Sequence, residues 1–512
     1  MKSLSIFSKA FSHKFFQSLG ADRSRSLRTK SYVLAAVLTI GLAAQPKASA
    51  QLQFTSLFSF NGSNGTGPMA NLVQGSDGAL YGTTSQGGAA SLGTVFRFDS
   101  TSLTLSTLHE FAGADGATLY SGLALGTDGL LYGSTFAGGN ADLGTLFRVA
   151  PNGQNFATLY NFNGLDGSRP DDLSLTQGAD GLFYGATSEG GANGAGTLFQ
   201  LNPNSGTLST LYSFSLSGGA AVDPGLVAGR DGFWYGTTFS GGALGGGSIF
   251  RIDPATQMPI TLHEFGGLDE FYPVPGSLMQ ATDGYLYGTT ELGGNGYGTV
   301  FRLDPATGAL VTLHSFSGVN DGRNPFAGLT EGGDGNLYGT TGFGGGGYGT
   351  IYRLNPTTLA YGIVVWFNGA NGRRPQGSLL RANDGALYGT TRIGGTFNQG
   401  TVFRLAPADT APPTITSITA SPSILQPANG KMIPVTLSVV ATDAVDLAPK
   451  SKIIGVTCNE PASGDWSITG DLTVSLRAKH ANHNTRIYTI TVQCSDASGN
   501  SSTSTVSVTV PK

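Results

Sequence analysis

The sequence predicts an all-β chain: a seven-bladed β-propeller closed by its own N-terminal strand, followed by an immunoglobulin-like β-sandwich. Three observations carry this. First, a pattern of Asp-Gly, an apolar pair, Tyr-Gly-Thr-Thr, Gly-Gly and Gly-Thr-Val-Phe-Arg recurs seven times, with opening aspartates Asp77, Asp128, Asp180, Asp231, Asp283, Asp334 and Asp384. Their spacing stays between 50 and 52 residues, and a steady period of this size marks a repeat architecture. Second, the repeats start and stop out of phase, so that the two ends complement each other. Third, the repeat stops near residue 407 and alternating strands without it follow.

In chain order, residues 1–50 read as a signal peptide. Basic residues precede an apolar run over 32–44, which is too short to span a bilayer, and Ala48-Ser49-Ala50 offers a cleavage site before Gln51. Removing this segment takes away eight Lys/Arg and one Asp, leaving a net charge of −11. An acidic, exported chain argues against nucleic acid as a partner, because phosphate binding needs clustered Lys and Arg. No later stretch is apolar enough for an integral membrane segment, and a monomer is expected. The expected location is secreted, extracellular or periplasmic.

Residues 51–407 hold seven periods of 51 residues. Each period fits four short strands, A to D. A is the segment before each Asp and contains a recurrent Leu (Leu72, Leu123, Leu175, Leu226, Leu278, Leu329, Leu379), B is the Tyr-Gly-Thr-Thr piece, C is Gly-Thr-Val-Phe-Arg, and D resembles Thr-Leu-His-Ser-Phe. Tyr, Val, Phe and Thr suit a pleated surface, and Asp-Gly between A and B is a tight-turn signal. The chain begins with a D piece, residues 54–60, and the seventh repeat ends on its C piece. The N-terminal strand is therefore expected to complete the last blade and close the ring. The rival architecture is a right-handed β-solenoid.

In an up-and-down blade the B–C and D–A loops share one face. They are the variable part of each repeat, and variation over a uniform frame is where binding is expected. The candidate ligand-binding residues there are Arg169, Asp171, Asp172, Glu189, Asp269, Glu270, Tyr272, Glu291, Arg323, Arg373, Arg374 and Arg392. The repeated polar residues read instead as framework. Arg97, Arg148, Arg251, Arg302, Arg353 and Arg404 recur around the chain, with the repeat Tyr and Asp as candidate partners. The second Thr of each B piece is expected to make a blade-to-blade hydrogen bond. One Asp before each Gly is a turn signature rather than a calcium loop. His109, His263 and His314 stand where other repeats carry Phe, Tyr or Trp, which points to packing. No nucleophile elbow, zinc motif or phosphate loop is evident. No catalytic residue, metal or cofactor is assigned.

Residues 408–413 form a Pro-rich linker. Residues 414–512 alternate apolar and polar over 435–440, 472–476, 487–492 and 504–510, as in an Ig-like sandwich. Cys458 and Cys494 are the only cysteines and form a candidate disulfide in an oxidising compartment.

The Tyr-Gly-Thr-Thr, Gly-Gly and Gly-Thr-Val-Phe pattern resembles the GloVer-type tandem repeats of bacterial exported proteins. Residues 424–436 and 494–500 look like Ig-like modules at the ends of bacterial secreted proteins. Neither resemblance implies a reaction. The expected function is a non-enzymatic exported propeller that binds a glycan or a cell-surface protein through the loop face. One alternative is a polysaccharide-active enzyme using paired carboxylates on that face, which must lie about 5 to 10 Å apart. The other is a surface adhesion or structural role.

Overall fold

The computed structural model describes residues 52–170, 175–215, 219–253, 256–266, 270–273, 278–443, 449–460, 464–479, 484–496 and 498–512. The described residues all fall within one compact unit, Ala50–Lys512. The expected signal peptide lies outside the described residues, as do Asp171, Asp172 and Asp269. Among the described residues there is no α-helix. None contains a helix long and apolar enough to cross a membrane, which says nothing of a β-barrel.

The fold is all-β and consists of nine small antiparallel sheets among the described residues. Seven come from the repeats. In the first repeat the strands A to D are Val73–Gln74, Leu80–Thr84, Thr94–Asp99 and Thr104–Glu110, hydrogen-bonded in chain order. The next five repeats keep that order; the fifth has a fifth strand. The seventh supplies Leu380–Arg381, Leu387–Thr391 and Thr401–Pro407, and its fourth strand is Leu52–Ser59 from the other end of the chain. That pair runs antiparallel from Leu52 opposite Pro407 to Ser59 opposite Thr401. The complementary ends read from the sequence thus meet. The solenoid alternative fails, because every named strand pair is antiparallel and each repeat forms its own sheet.

Packing puts the sheets in cyclic order. One apolar cluster joins Tyr81 and Val95 to Leu131 and Phe147 of the next repeat. Six equivalent clusters link each further pair, and the last joins Tyr388 and Val402 of the seventh repeat to Leu80 and Phe96 of the first. A sheet covered on both faces buries whole strands rather than alternate residues. Leu80–Thr84 is accordingly buried throughout, whereas the D strand Thr104–Glu110 is partly exposed.

Two glycine positions make this packing possible. A Cβ on Gly82 would stand 2.6 Å from the Phe96 ring, so the B-strand glycine is the slot for the C-strand aromatic. Gly93, before strand C, has φ +106°, and its Cβ would meet the Thr84 carbonyl at 2.5 Å. The position recurs at positive φ in every repeat through Gly400.

The C-terminal strands form two sheets. One orders Thr414–Ser421, Met432–Thr442, Thr473–Arg477 and Trp466–Gly470; the other orders Lys450–Cys458, Arg486–Ser495 and Ser501–Val510. They share a core that includes Val435, Val474, Ile490 and Val508. The disulfide expectation is corrected here, since Cys458 and Cys494 are free thiols. Cys458 lies opposite Tyr488 on the strand that carries Cys494, six positions away. At about 3.3 Å per residue that is roughly 20 Å, far beyond the Cα separation a disulfide spans.

Candidate functional site

Most recurrent polar groups find partners inside the frame, with Arg251 Nε and Thr340 Oγ1 as exceptions. Each repeat Tyr donates its hydroxyl to the aspartate four residues earlier, from Tyr81 on Asp77 at 2.9 Å to Tyr388 on Asp384 at 2.8 Å. The same Asp77 carboxylate receives Arg97 at 2.9 Å. Burial works to raise the Asp77 pKa, but hydrogen bonds from Arg97, Tyr81 and Ala79 outweigh it and hold the carboxyl below its usual range. Burial first, then Asp128, pushes the Tyr132 hydroxyl up to about 12. Arg302 and Arg251 lie over Tyr285 and Phe233 instead of bonding a carboxylate. His109 stacks on Phe156 at 3.4 Å and His314 on Tyr361 at 3.9 Å, in keeping with a packing role.

The threonines correct one expectation. The second Thr bonds within its own sheet: Thr84 Oγ1 meets Thr94 Oγ1 at 2.8 Å, accepts from Thr94 N at 3.1 Å and donates to the Gln86 carbonyl. It is the first Thr that reaches the next repeat, as Thr83 does to the Ser121 carbonyl at 2.7 Å and Thr289 to that of Ala327 at 3.0 Å. The second hydroxyl is sequestered because strand C presents a matching hydroxyl directly opposite it.

The variable loops are a built surface. The D–A and B–C loops of one repeat are stitched together, as in Thr66 with Gln86, Ala117 with Ala137, Ser168 with Glu189, Arg323 with Phe343 and Arg373 with Ile393. In the fourth and fifth repeats the stitch widens into the strands Ala220–Ala228 and Glu270–Pro273. A neighbouring D–A residue also reaches back to the preceding repeat. The amides of Thr118, Arg169, Tyr272, Asn324 and Arg374 donate to the carbonyls of Leu92, Leu143, Gly246, Tyr297 and Tyr348. Gly67 makes the same bond to Gln399 and carries the chain of contacts from the first repeat to the seventh. These linking residues have φ from +51° to +66°. For a residue with a side chain that conformation costs about 1–3 kcal/mol and persists only where the surroundings impose it.

The structure separates the expected site residues. Arg169 pairs with Glu189 at 3.0 Å and covers the Phe136 ring. Tyr272 stacks on Phe239 at 4.9 Å. Arg323, Arg373, Arg374 and Arg392 occupy the loops of the sixth and seventh repeats. Glu291 stands apart in the fifth repeat, where burial raises its pKa. No hydrogen bond or ion pair joins Glu291 to Glu189, the other described carboxylate of the set. The Glu270 backbone opens the widened stitch, while its side chain lies outside the described residues. Sequence reasoning missed Phe136, Phe239 and Phe343, which support the cations and Tyr272; their signal is an aromatic one or two residues after the second Thr of strand B.

Away from this face, Asp409, Asp443 and Asp496 bring carboxylate oxygens within 4.8 Å of one another, close enough to share a cation. Nothing in the sequence spacing links Asp496 to the other two.

A family model described as the Gloeobacter/Verrucomicrobia repeat matches residues 45–228 and 223–436. No curated protein sequence matches the chain. Among solved structures it is similar to a protein described as the extracellular domain of a one-component system from B. thetaiotaomicron. Identity is 13%, TM-score 0.50, and 90% of this chain and 58% of that one are covered. A structure described as the extracellular domain of a hybrid two-component system from the same organism gives 13%, 0.51 and the same coverage. Oligogalacturonate lyase in complex with manganese gives 13% identity and TM-score 0.48 over 70% of this chain and 94% of that one. The chain thus spans 58% of the length of the two extracellular domains, and the likeness to them bears on fold alone.

Proposed function

The chain belongs to the Gloeobacter/Verrucomicrobia repeat family, and we propose that it is an exported binding protein with no catalytic activity. In this reading residues 1–50 are a signal peptide, 51–407 a seven-bladed β-propeller, 408–413 a linker and 414–512 an Ig-like module. The cyclic order of seven sheets, six four-stranded and one five-stranded, supports the propeller, and the two C-terminal sheets that share a core support the module. The leader pattern supports export.

The D–A/B–C loop face is the ligand surface, and the ligand is a glycan or a cell-surface protein. One observation carries this. The repeated Tyr–Asp pairs and second-Thr hydroxyls are hydrogen-bonded inside the frame, whereas the non-repeated Arg169, Tyr272, Arg323, Arg373, Arg374 and Arg392 are gathered on stitched, partly left-handed loops. Binding residues concentrate on loops held by a rigid scaffold. Glycan-array and cell-surface binding by the purified chain test it. Binding that loop substitutions remove, with no release of reducing ends from the bound glycan, is expected. Turnover abolished by Glu291→Gln would instead favour the enzyme reading, to which the raised Glu291 pKa lends its support.

A further inference from the structure

We propose that the loops of the sixth and seventh repeats form a seat for the anionic groups of an acidic polysaccharide, with Arg323, Arg373, Arg374 and Arg392 as the binding residues. This rests on the loop-face reading above and narrows it to one class of ligand.

The four cations are brought together by the stitching. Arg323 N and Arg373 N donate to the carbonyls of Phe343 and Ile393, and Arg392 N donates to that of Arg374. Arg374 N bonds Tyr348 O, tying the seventh repeat to the sixth. Aromatic rings then fix the side chains. The Phe343 ring carries Arg323 at 5.4 Å and Arg374 at 4.8 Å, and Tyr348 carries Arg373 at 5.5 Å.

Among the described residues no carboxylate neutralises this cluster. Among the described residues none of the four guanidiniums pairs with a carboxylate, unlike Arg97, Arg169, Arg404, Arg477 and Arg486. The Nε–H groups of Arg373 and Arg374 and the Gln376 Oε1 are buried without a hydrogen-bond partner. Buried donors left unpaired are costly and call for an explanation. Burial, followed by the charges of Arg373 and Arg392, lowers the Arg374 pKa, the mark of like charges held close. An otherwise acidic chain therefore maintains a repulsive knot of cations on its variable face. An oxyanion relieves that repulsion, and the planar guanidinium fork matches carboxylate and sulfate.

A polysaccharide fits better than an acidic peptide. Protein partners anchor aromatic or aliphatic side chains in open apolar pockets. Here the rings of Phe343 and Tyr348 lie beneath the guanidiniums, so the surface presents charge rather than an apolar socket.

The test measures binding of the full purified chain to immobilised dextran sulfate, carboxymethyl dextran, neutral dextran and poly-glutamate. Wild type is expected to bind one or both charged dextrans in a salt-sensitive manner, with neutral dextran and poly-glutamate much weaker. Which charged dextran binds distinguishes a sulfate from a carboxylate source. Arg373→Gln/Arg374→Gln should weaken binding about tenfold or more, since a charge-assisted hydrogen bond contributes roughly 1.5–3 kcal/mol. Arg392→Gln should act in the same direction if the double variant does not fold. Arg230→Gln, which removes the same charge as Arg392→Gln but from the exposed Asp-Gly turn of the fourth repeat, should stay within about twofold. Equal loss in Arg230→Gln and Arg392→Gln would overturn the proposal as generic charge attraction. So would wild-type affinity in the seat variants, poly-glutamate bound as tightly as the dextrans, or no binding to either charged dextran. A neutral array glycan bound through the loop face, with the charged dextrans ignored, would overturn this seat while leaving the binding function standing.

Discussion

Phe60→Ala tests ring closure. Phe60 follows the N-terminal strand and is fully buried, with its ring 5.2 Å from Phe96 of the first repeat and 5.5 Å from Phe58. Its amide donates to the Gly400 carbonyl at 3.0 Å, so one residue touches both the first and the last repeat. Phe111, Phe162, Phe214, Phe265, Phe316 and Phe367 hold the matching place elsewhere, all within 2% of full burial. Truncating a buried Phe costs about 3–5 kcal/mol, combining lost transfer energy with the cavity left behind. If the terminal strand is a full member of the ring, Phe60→Ala should cost as much as Phe316→Ala, whose ring lies 5.3 Å from Tyr352. Urea unfolding with an unchanged m value measures both. A Phe60→Ala cost below about 1 kcal/mol beside a full cost for Phe316→Ala would refute the closure argument.

The hydroxyl ladder gives a second outcome. Thr84→Val keeps the shape but strips partners from Thr94 and Gln86, and should cost about 1–3 kcal/mol in the same assay, whereas Thr84→Ser should retain most of the stability. The imidazoles give a pH dependence. Burial holds His263 and His314 below the usual imidazole pKa against the pull of nearby acids, so the unfolded chain takes up protons first. Their contribution is complete above about pH 6.5 and declines as the pH falls below it. A His263→Phe/His314→Phe chain should lose less stability between pH 7.5 and 5.5 than wild type, and an equal loss would contradict this. Two titratable thiols per chain are expected in denaturant without reductant; a bridged pair would contradict the register that separates Cys458 from Cys494.

Much of the frame was legible because the repeat states the same local chemistry seven times. Asp77-Gly78, Tyr81 and Thr84 each carry a turn, strand or burial signal, and the phase offset between residues 54–60 and the seventh repeat points to the Leu52–Ser59 pairing. Which threonine bonds where was not legible, since that depends on strand C facing strand B with Thr94 opposite Thr84. The loop face was legible as a region but not as a surface. Nothing in the spacing says that Phe343 would carry both Arg323 and Arg374, or that Glu189 would be tied to Arg169 while Glu291 stands alone. Cys458 and Cys494 misled because compartment chemistry says whether thiols oxidise, and only register says whether they meet. The strands Thr414–Ser421, Lys450–Cys458 and Trp466–Gly470 were passed over because their alternation is shorter or broken by glycine and polar residues.

Amide hydrogen exchange of the full chain with and without dextran sulfate tests the central claim most directly, because it reports on both faces of every repeat at once. The account expects new protection in the D–A and B–C loops, strongest over residues 322–325, 343–348, 372–376 and 392–394, with the Asp-Gly turns at Asp77, Asp128 and Asp334 unchanged. Protection centred on those turns, or spread evenly over both faces, would contradict it.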